Sequence, residues 1–327
     1  SWQGLGQRPN GFPPLTQTNE VNDMTLFLSY LINGISLGSV YAIIALGYTM
    51  VYGIAKMLNF AHGDVIMVGA YVCFFAVSKY SLPPVVGILL AVVVCTVLGI
   101  VVERLAYKPL RAAPSLAVLI TAIGVSYFLQ NAALLLWTSN PKVFPSFFSV
   151  SHGTSDEPVS TGIELFGGQL KISYVTIVTI VACLIIMVAL SVFVGKTKMG
   201  KAMRACSEDK GAAQLMGIDV NTTISMTFAI GSALAAVAGV LFCSSYPNLM
   251  PTTGSMPGIK AFTAAVFGGI GSIPGALLGG LLLGIIEILT KAYISTQLSD
   301  AIVFAVLIVV LLVKPSGLLG KYVPEKV

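Results

Sequence analysis

Few side chains in this sequence can do chemistry, and those that can stand in apolar surroundings. His62 and Asp64 occur in the run Asn59-Phe60-Ala61-His62-Gly63-Asp64. Glu287 precedes Lys291 by four residues and follows an uncharged run that starts at Ala261. Ionisable groups at membrane depth are costly to bury and are therefore functional candidates. For His62 and Asp64 the choice is between shaping a turn, with Asp64 capping the helix that follows, and lining a path. Glu287 ahead of Lys291 is the favourable order for an i,i+4 ion pair, expected near the outer end of a helix. The alternative for Glu287 is a coupling proton, which would mark a secondary carrier. One His and one Asp two residues apart leave a metal's ligand set incomplete, so neither a metal nor a catalytic site is expected.

The elements that hold these groups are set by composition. Hydrophobic residues make up 56% of the 327-residue chain and charged ones 9%, with a mean hydropathy of +0.91. A soluble domain carries about 25% charged residues, so this chain cannot cover itself with a solvated surface. Charge-free runs at Ala112–Pro141, Ile172–Gly195 and Val220–Ile259 each exceed the roughly 20 residues that cross a bilayer as helix. The fold class is all-α: a polytopic transmembrane helical bundle of about eight or nine spans with broken or half helices. Spans are expected near Leu26–Gly53, Ala61–Lys79, Pro84–Ala106, Leu116–Trp137, Ser173–Gly195, Thr223–Tyr246 and Ala301–Gly317. Between Gly258 and Thr290 the pattern predicts a short half-helix, a glycine turn and a longer helix.

Basic residues orient the bundle. Lys56, the turn with Arg104, Lys108 and Arg111, the loop Lys196–Asp219, and the tail with Lys314, Lys321 and Lys326 fall on one side if Gly258–Thr290 contributes two passes. That side is cytoplasmic, which puts the N-terminus outside and the C-terminus inside. The net charge of +5 then reflects orientation, and nucleic acid need not be invoked. Ser1–Asp23 is polar and is set aside as a disordered leader or an added remnant; residues 24–320 form one transmembrane domain with a cytoplasmic loop at 196–222, and 321–327 form a tail. The five cysteines are expected to be small packing residues.

Two Gly-rich breaks interrupt membrane-depth sequence, Asn59–Asp64 and Gly271–Gly275, with Pro274 inside the second. Paired interruptions in two halves point to an internal repeat and a transport pathway. Stripes of small residues at Gly34/Gly38, Gly231/Ala235/Gly239, Gly275/Gly279 and Gly280/Gly284 read as packing seams. In the basic loop, Ser207 suits a helix N-cap and Glu208 and Asp209 a first turn. Ala212, Ala213 and Gly217 follow at Ala-Ala-x-x-x-Gly spacing, with Gly217 suited to the helix end. Transport subunits driven by separate ATPases use such a helix as a handle, so Arg204, Ser207, Glu208, Ala212, Ala213 and Gly217 are the candidate coupling residues.

Three elements in order, Asn59–Asp64, the loop Gly200–Asp219 and Gly258–Ala276, resemble the bacterial branched-chain amino acid ABC importer permeases of the LivH type. The likeness runs from about Met24 to Gly320; Gly211 stands where importers often carry Glu. It implies a second permease of similar type, two ATPase subunits that hold ATP and Mg²⁺, a periplasmic substrate-binding protein, and a multi-pass inner-membrane location. It implies no cofactor in this chain. Asn59, His62, Gly63, Asp64, Gly271, Pro274, Gly275 and Glu287 are the path candidates. Urea or short amides are an alternative substrate class. Other patterns fail on context. Gly34–Gly38 matches the hydrolase Gly-x-Ser-x-Gly inside a span, the sequon Asn221-Thr222-Thr223 falls on the cytoplasmic side, and no Gly-x-x-x-x-Gly-Lys-Ser/Thr phosphate loop occurs.

Overall fold

The structure is a computed structural model that describes residues 15–111, 113–145, 147, 162–165 and 170–320. Most of the leader and the whole 321–327 tail, with Lys321 and Lys326, lie outside the described residues. The helices in chain order are α1 (Leu15–Ala55), α2 (His62–Ser78), α3 (Pro84–Val102), α4 (Ser115–Trp137), α5 (Tyr174–Lys196), α6 (Lys198–Glu208), α7 (Lys210–Leu215), α8 (Val220–Ser245), α9 (Ser255–Gly268), α10 (Ile273–Tyr293) and α11 (Ser299–Val313). Six are long and apolar enough to cross a membrane, while α2 and α11 are shorter apolar helices. With the 14-residue α9 as the anticipated half-helix, the span pattern matches the sequence reading. The largest shifts are at two starts: α1 begins at Leu15, inside the segment read as leader, and α9 begins at Ser255.

Strands are minor. β1 (Lys142–Val143) pairs antiparallel with β4 (Asn248–Leu249), and β2 (Gly162–Leu165) with β3 (Leu170–Ser173). They close the end of the bundle where α4 ends, α5 begins and α8 ends.

The central element is α1, buried without a break from Val40 to Met50 and packed on α5, α8, α9 and α10. Its seam with α10 is made by small residues. A Cβ added at Gly38 would lie 2.7 Å from Leu281 Cα, and one at Gly280 2.5 Å from Ala42 Cα, so the backbones touch. In lipid, hydrophobicity does not drive helix association, and such close backbone approach supplies the contact instead. All five cysteines are buried and unpaired. By contrast, α3, α4 and α5 expose rows of apolar side chains, among them Leu89, Val93, Val97, Leu135 and Ile185.

One end gathers the basic residues. Arg111 there bonds both Glu103 and Asn221, which joins the end of α3 to the start of α8. The turn between α9 and α10 is at this same end: Gly53, two residues before the end of α1, approaches Gly271 Cα. Leu318 and Leu319 N–H groups, just past α11, donate to Phe267 and Gly268 carbonyls. The Gly271–Gly275 break expected at membrane depth is therefore a tight turn at the basic end. Gly269 and Gly271 take φ of 102° and 94°, a region favouring glycine. Ser272 Oγ accepts from Gly275 N–H to cap α10, with Pro274 in its first turn.

Candidate functional site

The true partner of the first break lies elsewhere. After α1 ends, Lys56 adopts φ 57° and residues 56–61 re-enter the bundle. Buried Asn59 is held there by Tyr107 Oη, which donates to Asn59 Oδ1 at 2.8 Å. His62 then starts α2 packed edge-on against Tyr48, centroids 4.6 Å apart, beside Gly47, where a Cβ would lie 2.6 Å from Nε2. Gly47 is eight residues above the end of α1, which at 1.5 Å per residue puts His62 roughly 12 Å inside the bundle. Among the described residues His62 Nε2 has no hydrogen-bond partner.

Residues 246–254 re-enter from the opposite end, and α9 starts at Ser255. The two helix starts meet: a Cβ on Gly254 would fall 1.9 Å from Gly63 O, and one on Gly258 2.8 Å from Gly63 Cα. Backbone contact of this kind accepts no side chain at Gly63 or Gly254. Asp64 is not the cap of α2, because the cap position is Ala61 and makes no side-chain cap bond. Its Oδ1 instead accepts from Gln130 Nε2 at 2.9 Å, and that amide lies 3.2 Å from Ser255 Oγ. Asp64 thus ties α2 to α4 and α9 where two positive helix ends converge. Irregular backbone at this depth must be covered by protein or line a cavity.

Glu287 forms the second centre. Its Oε1 accepts from Lys291 Nζ at 2.6 Å, as the i,i+4 spacing anticipates, and also from Lys260 Nζ at 2.8 Å; Oε2 accepts from Tyr41 Oη at 2.9 Å. Lys260 continues to Asp300 at 2.6 Å. The sequence reading missed Lys260, although it is the single cation between Gly211 and Thr290. Two lysines and two acids thus neutralise one another where α1, α9, α10 and α11 meet. Beside them a cavity of about 750 Å³ opens between α1, α5, the end of α8 and the end of α10.

The third centre is the short helix α7 at the basic end, and its cap differs from expectation. Ser207 is in the last turn of α6 and donates to Arg204 O, while Glu208 ends that helix. Asp209 caps α7 instead, its Oδ1 accepting from Gly211 and Ala212 N–H. The split arises because Asp209 adopts an extended φ/ψ of −152°/115°. Gly217 closes α7 with φ 81°; Ile218 N–H bonds Ala213 O and Gly217 N–H bonds Gln214 O, the Schellman pattern. Arg204 Nη2 donates to Gly195 O, pinning α6 to the end of α5. Ala212 is exposed, but Ala213 is buried against the bundle. The side chains that protrude are Leu215 and Met216, 90% and 82% exposed, which the small-residue pattern did not single out. Lys210 Nζ donates to Ala55 O at 2.7 Å, joining α7 to the last turn of α1. Partial burial, followed by the nearby Arg111 and Lys56 charges, lowers its pKa.

A helical bundle in which the starts of α2 and α9 meet inside, with a buried charge centre beside a cavity and a protruding helix at the basic end, has the form of a membrane transport subunit. The family profile described as "Branched-chain amino acid transport system / permease component" matches residues 30–311, and the chain belongs to that family. It is 45% identical to the high-affinity branched-chain amino acid transport system permease protein LivH of Escherichia coli K12, over 92% of this chain and 98% of that protein. The corresponding BraD of Pseudomonas aeruginosa is 43% identical with the same coverage. The probable LivH of Methanocaldococcus jannaschii is 29% identical over 85% of this chain and 88% of its own. No solved structure matches the chain.

Proposed function

We propose that this chain is the permease subunit of an ABC importer that carries branched-chain or other apolar amino acids. It would work with a second permease of similar type, two ATPase subunits that bind ATP and Mg²⁺, and a periplasmic substrate-binding protein. Its place would be the bacterial inner membrane, N-terminus periplasmic and C-terminus cytoplasmic; the gathering of Lys56, Arg104, Lys108, Arg111, Lys210 and Lys314 at one end supports that orientation. The family membership supports the substrate class.

The observation that carries the reading is the α7 handle. It projects two apolar side chains from a basic surface and is bonded through Lys210 to the end of α1. ATP binding would draw the ATPase subunits together and move α7. The Lys210–Ala55 bond would pass that motion to residues 56–61, whose far end is the Asn59–His62–Gly63–Asp64 junction. Access would alternate as the α2 and α9 starts part and close. Gly271, Pro274 and Gly275 would hold the α9–α10 turn rigid, and Glu287 would anchor the outer wall. Glu287 as a proton carrier fits less well, because three donors already occupy its two oxygens.

The test is co-purification with candidate ATPase subunits. Changing Leu215 and Met216 together to Glu should cut association by at least about tenfold, as loss of exposed apolar anchors does, with helical content unchanged. Full association of that variant would sink the handle reading. Ala213 is the wrong residue for this purpose, since its side chain packs inward.

A further inference from the structure

The outer cavity carries a charge pattern that the coupling mechanism does not use. Among the described residues Lys291 is its one ionised lining group, with 35% of its side chain exposed. An ammonium has three donors, and Glu287 Oε1 takes one of them at 2.6 Å. Lys260, the other lysine on Glu287, is spent on Glu287 and Asp300 and is 7% exposed. Lys291 is therefore held from behind by Glu287 while its partly exposed side chain lines the cavity. The wall formed by Ser244 and Ser245 is the last turn of α8, where the final carbonyls of a helix have no partner within it and form the negative end of its dipole. Leu37, Phe144 and Val175 supply apolar wall. A cation, a negative helix end and an apolar surface within about 750 Å³ match an α-amino acid, which presents a carboxylate, an ammonium and an apolar side chain.

We infer that this cavity is an outward-facing binding site for a zwitterionic amino acid with an apolar side chain, with Lys291 receiving its carboxylate and the end of α8 its ammonium. The inference rests on the transport reading above and names where that substrate first meets the membrane subunit. Glu287 acts as a positioning residue, holding the Lys291 ammonium at the cavity floor.

The native cysteines are all buried, so a reporter thiol can be read alone. Ser245→Cys, at an exposed position on the cavity wall, is labelled in membranes with an impermeant methanethiosulfonate reagent. L-Leucine and 4-methylpentanoate, which keeps the carboxylate, are each added as protectant, as is isopentylamine, which lacks it. L-Leucine should slow labelling at the lowest concentration, 4-methylpentanoate at a higher one and isopentylamine least. In Ser245→Cys with Lys291→Gln the concentration needed for protection should rise about tenfold, the effect of losing a charged hydrogen bond. Lys291→Arg, which keeps the cation, should retain protection and also shows that the site folds. Equal protection by all three ligands, none by any, or no change in the Gln variant overturns the site. Uptake of L-leucine by cells carrying the wild-type chain is measured in parallel. Uptake without protection leaves the transport reading standing without this site, and protection without uptake does the reverse.

Discussion

Two fully buried glutamates sit near opposite ends of the bundle, and their surroundings differ. Glu103, at the basic end, is held by Arg111 and by Ser225 Oγ at 2.6 Å, and Arg111 is itself 17% exposed and shared with Asn221. Glu287 is held by two lysines and a tyrosine from three helices, and one of those lysines continues to a fourth. Removing the basic-end acid leaves a cation that can reach water. Removing Glu287 leaves Lys260 buried beside a single surface partner, Asp300. The contrast separates an end that can yield, where α7 is bonded to α1, from a wall that cannot.

The largest expected effect follows directly. Glu287→Ala should lower stability by about 3–5 kcal/mol, the cost of leaving a buried charge without its partner, read as thermal unfolding in detergent. Glu103→Ala should cost less, about 1–3 kcal/mol; a loss equal to that of Glu287→Ala would erase the distinction between the two ends. Gly254→Ala tests the junction between them. Its Cβ would meet Gly63 O, and overpacking of about 1–3 kcal/mol is expected together with lost uptake. Unaltered uptake would mean that the two helix starts do not need their backbone contact. Lys210→Met should be mildest in stability, about 0.5–1.5 kcal/mol for one hydrogen bond. It should nevertheless lower substrate-stimulated ATPase activity while association with the ATPase subunits survives. Unchanged stimulation would remove the Lys210–Ala55 bond from the coupling route.

How much of this was legible beforehand depends on how local the signal is. The spans were legible because apolar length and bounding Pro, Gly and basic residues belong to the chain itself. The Glu287–Lys291 pair was legible because four residues is one helical turn. The glycine stripes were legible as seams, though not their partners. The cap of α7 was not, since Ser207 and Asp209 are both good caps and only the packed course of the chain places the kink at 209. Lys260 was visible as an isolated cation, but nothing in its neighbourhood names an acid 27 residues away. The second break was read at Gly271–Gly275, whereas the chain that meets Gly63 is at Gly254, because both stretches read Gly-Ser-x-Pro-Gly and only packing tells them apart.

What the sequence determined by itself is that this chain is a membrane-embedded helical bundle with one basic end and a short helix there, since transfer from water and helical periodicity act along the chain. Tertiary structure alone decided that the starts of α2 and α9 touch, that Glu287 gathers two lysines, and that Leu215 and Met216 protrude while Ala213 turns inward. Those outcomes depend on contacts between helices. In a bilayer such contacts are selected by backbone fit and by partners for buried charge, neither of which leaves a periodic trace in the sequence.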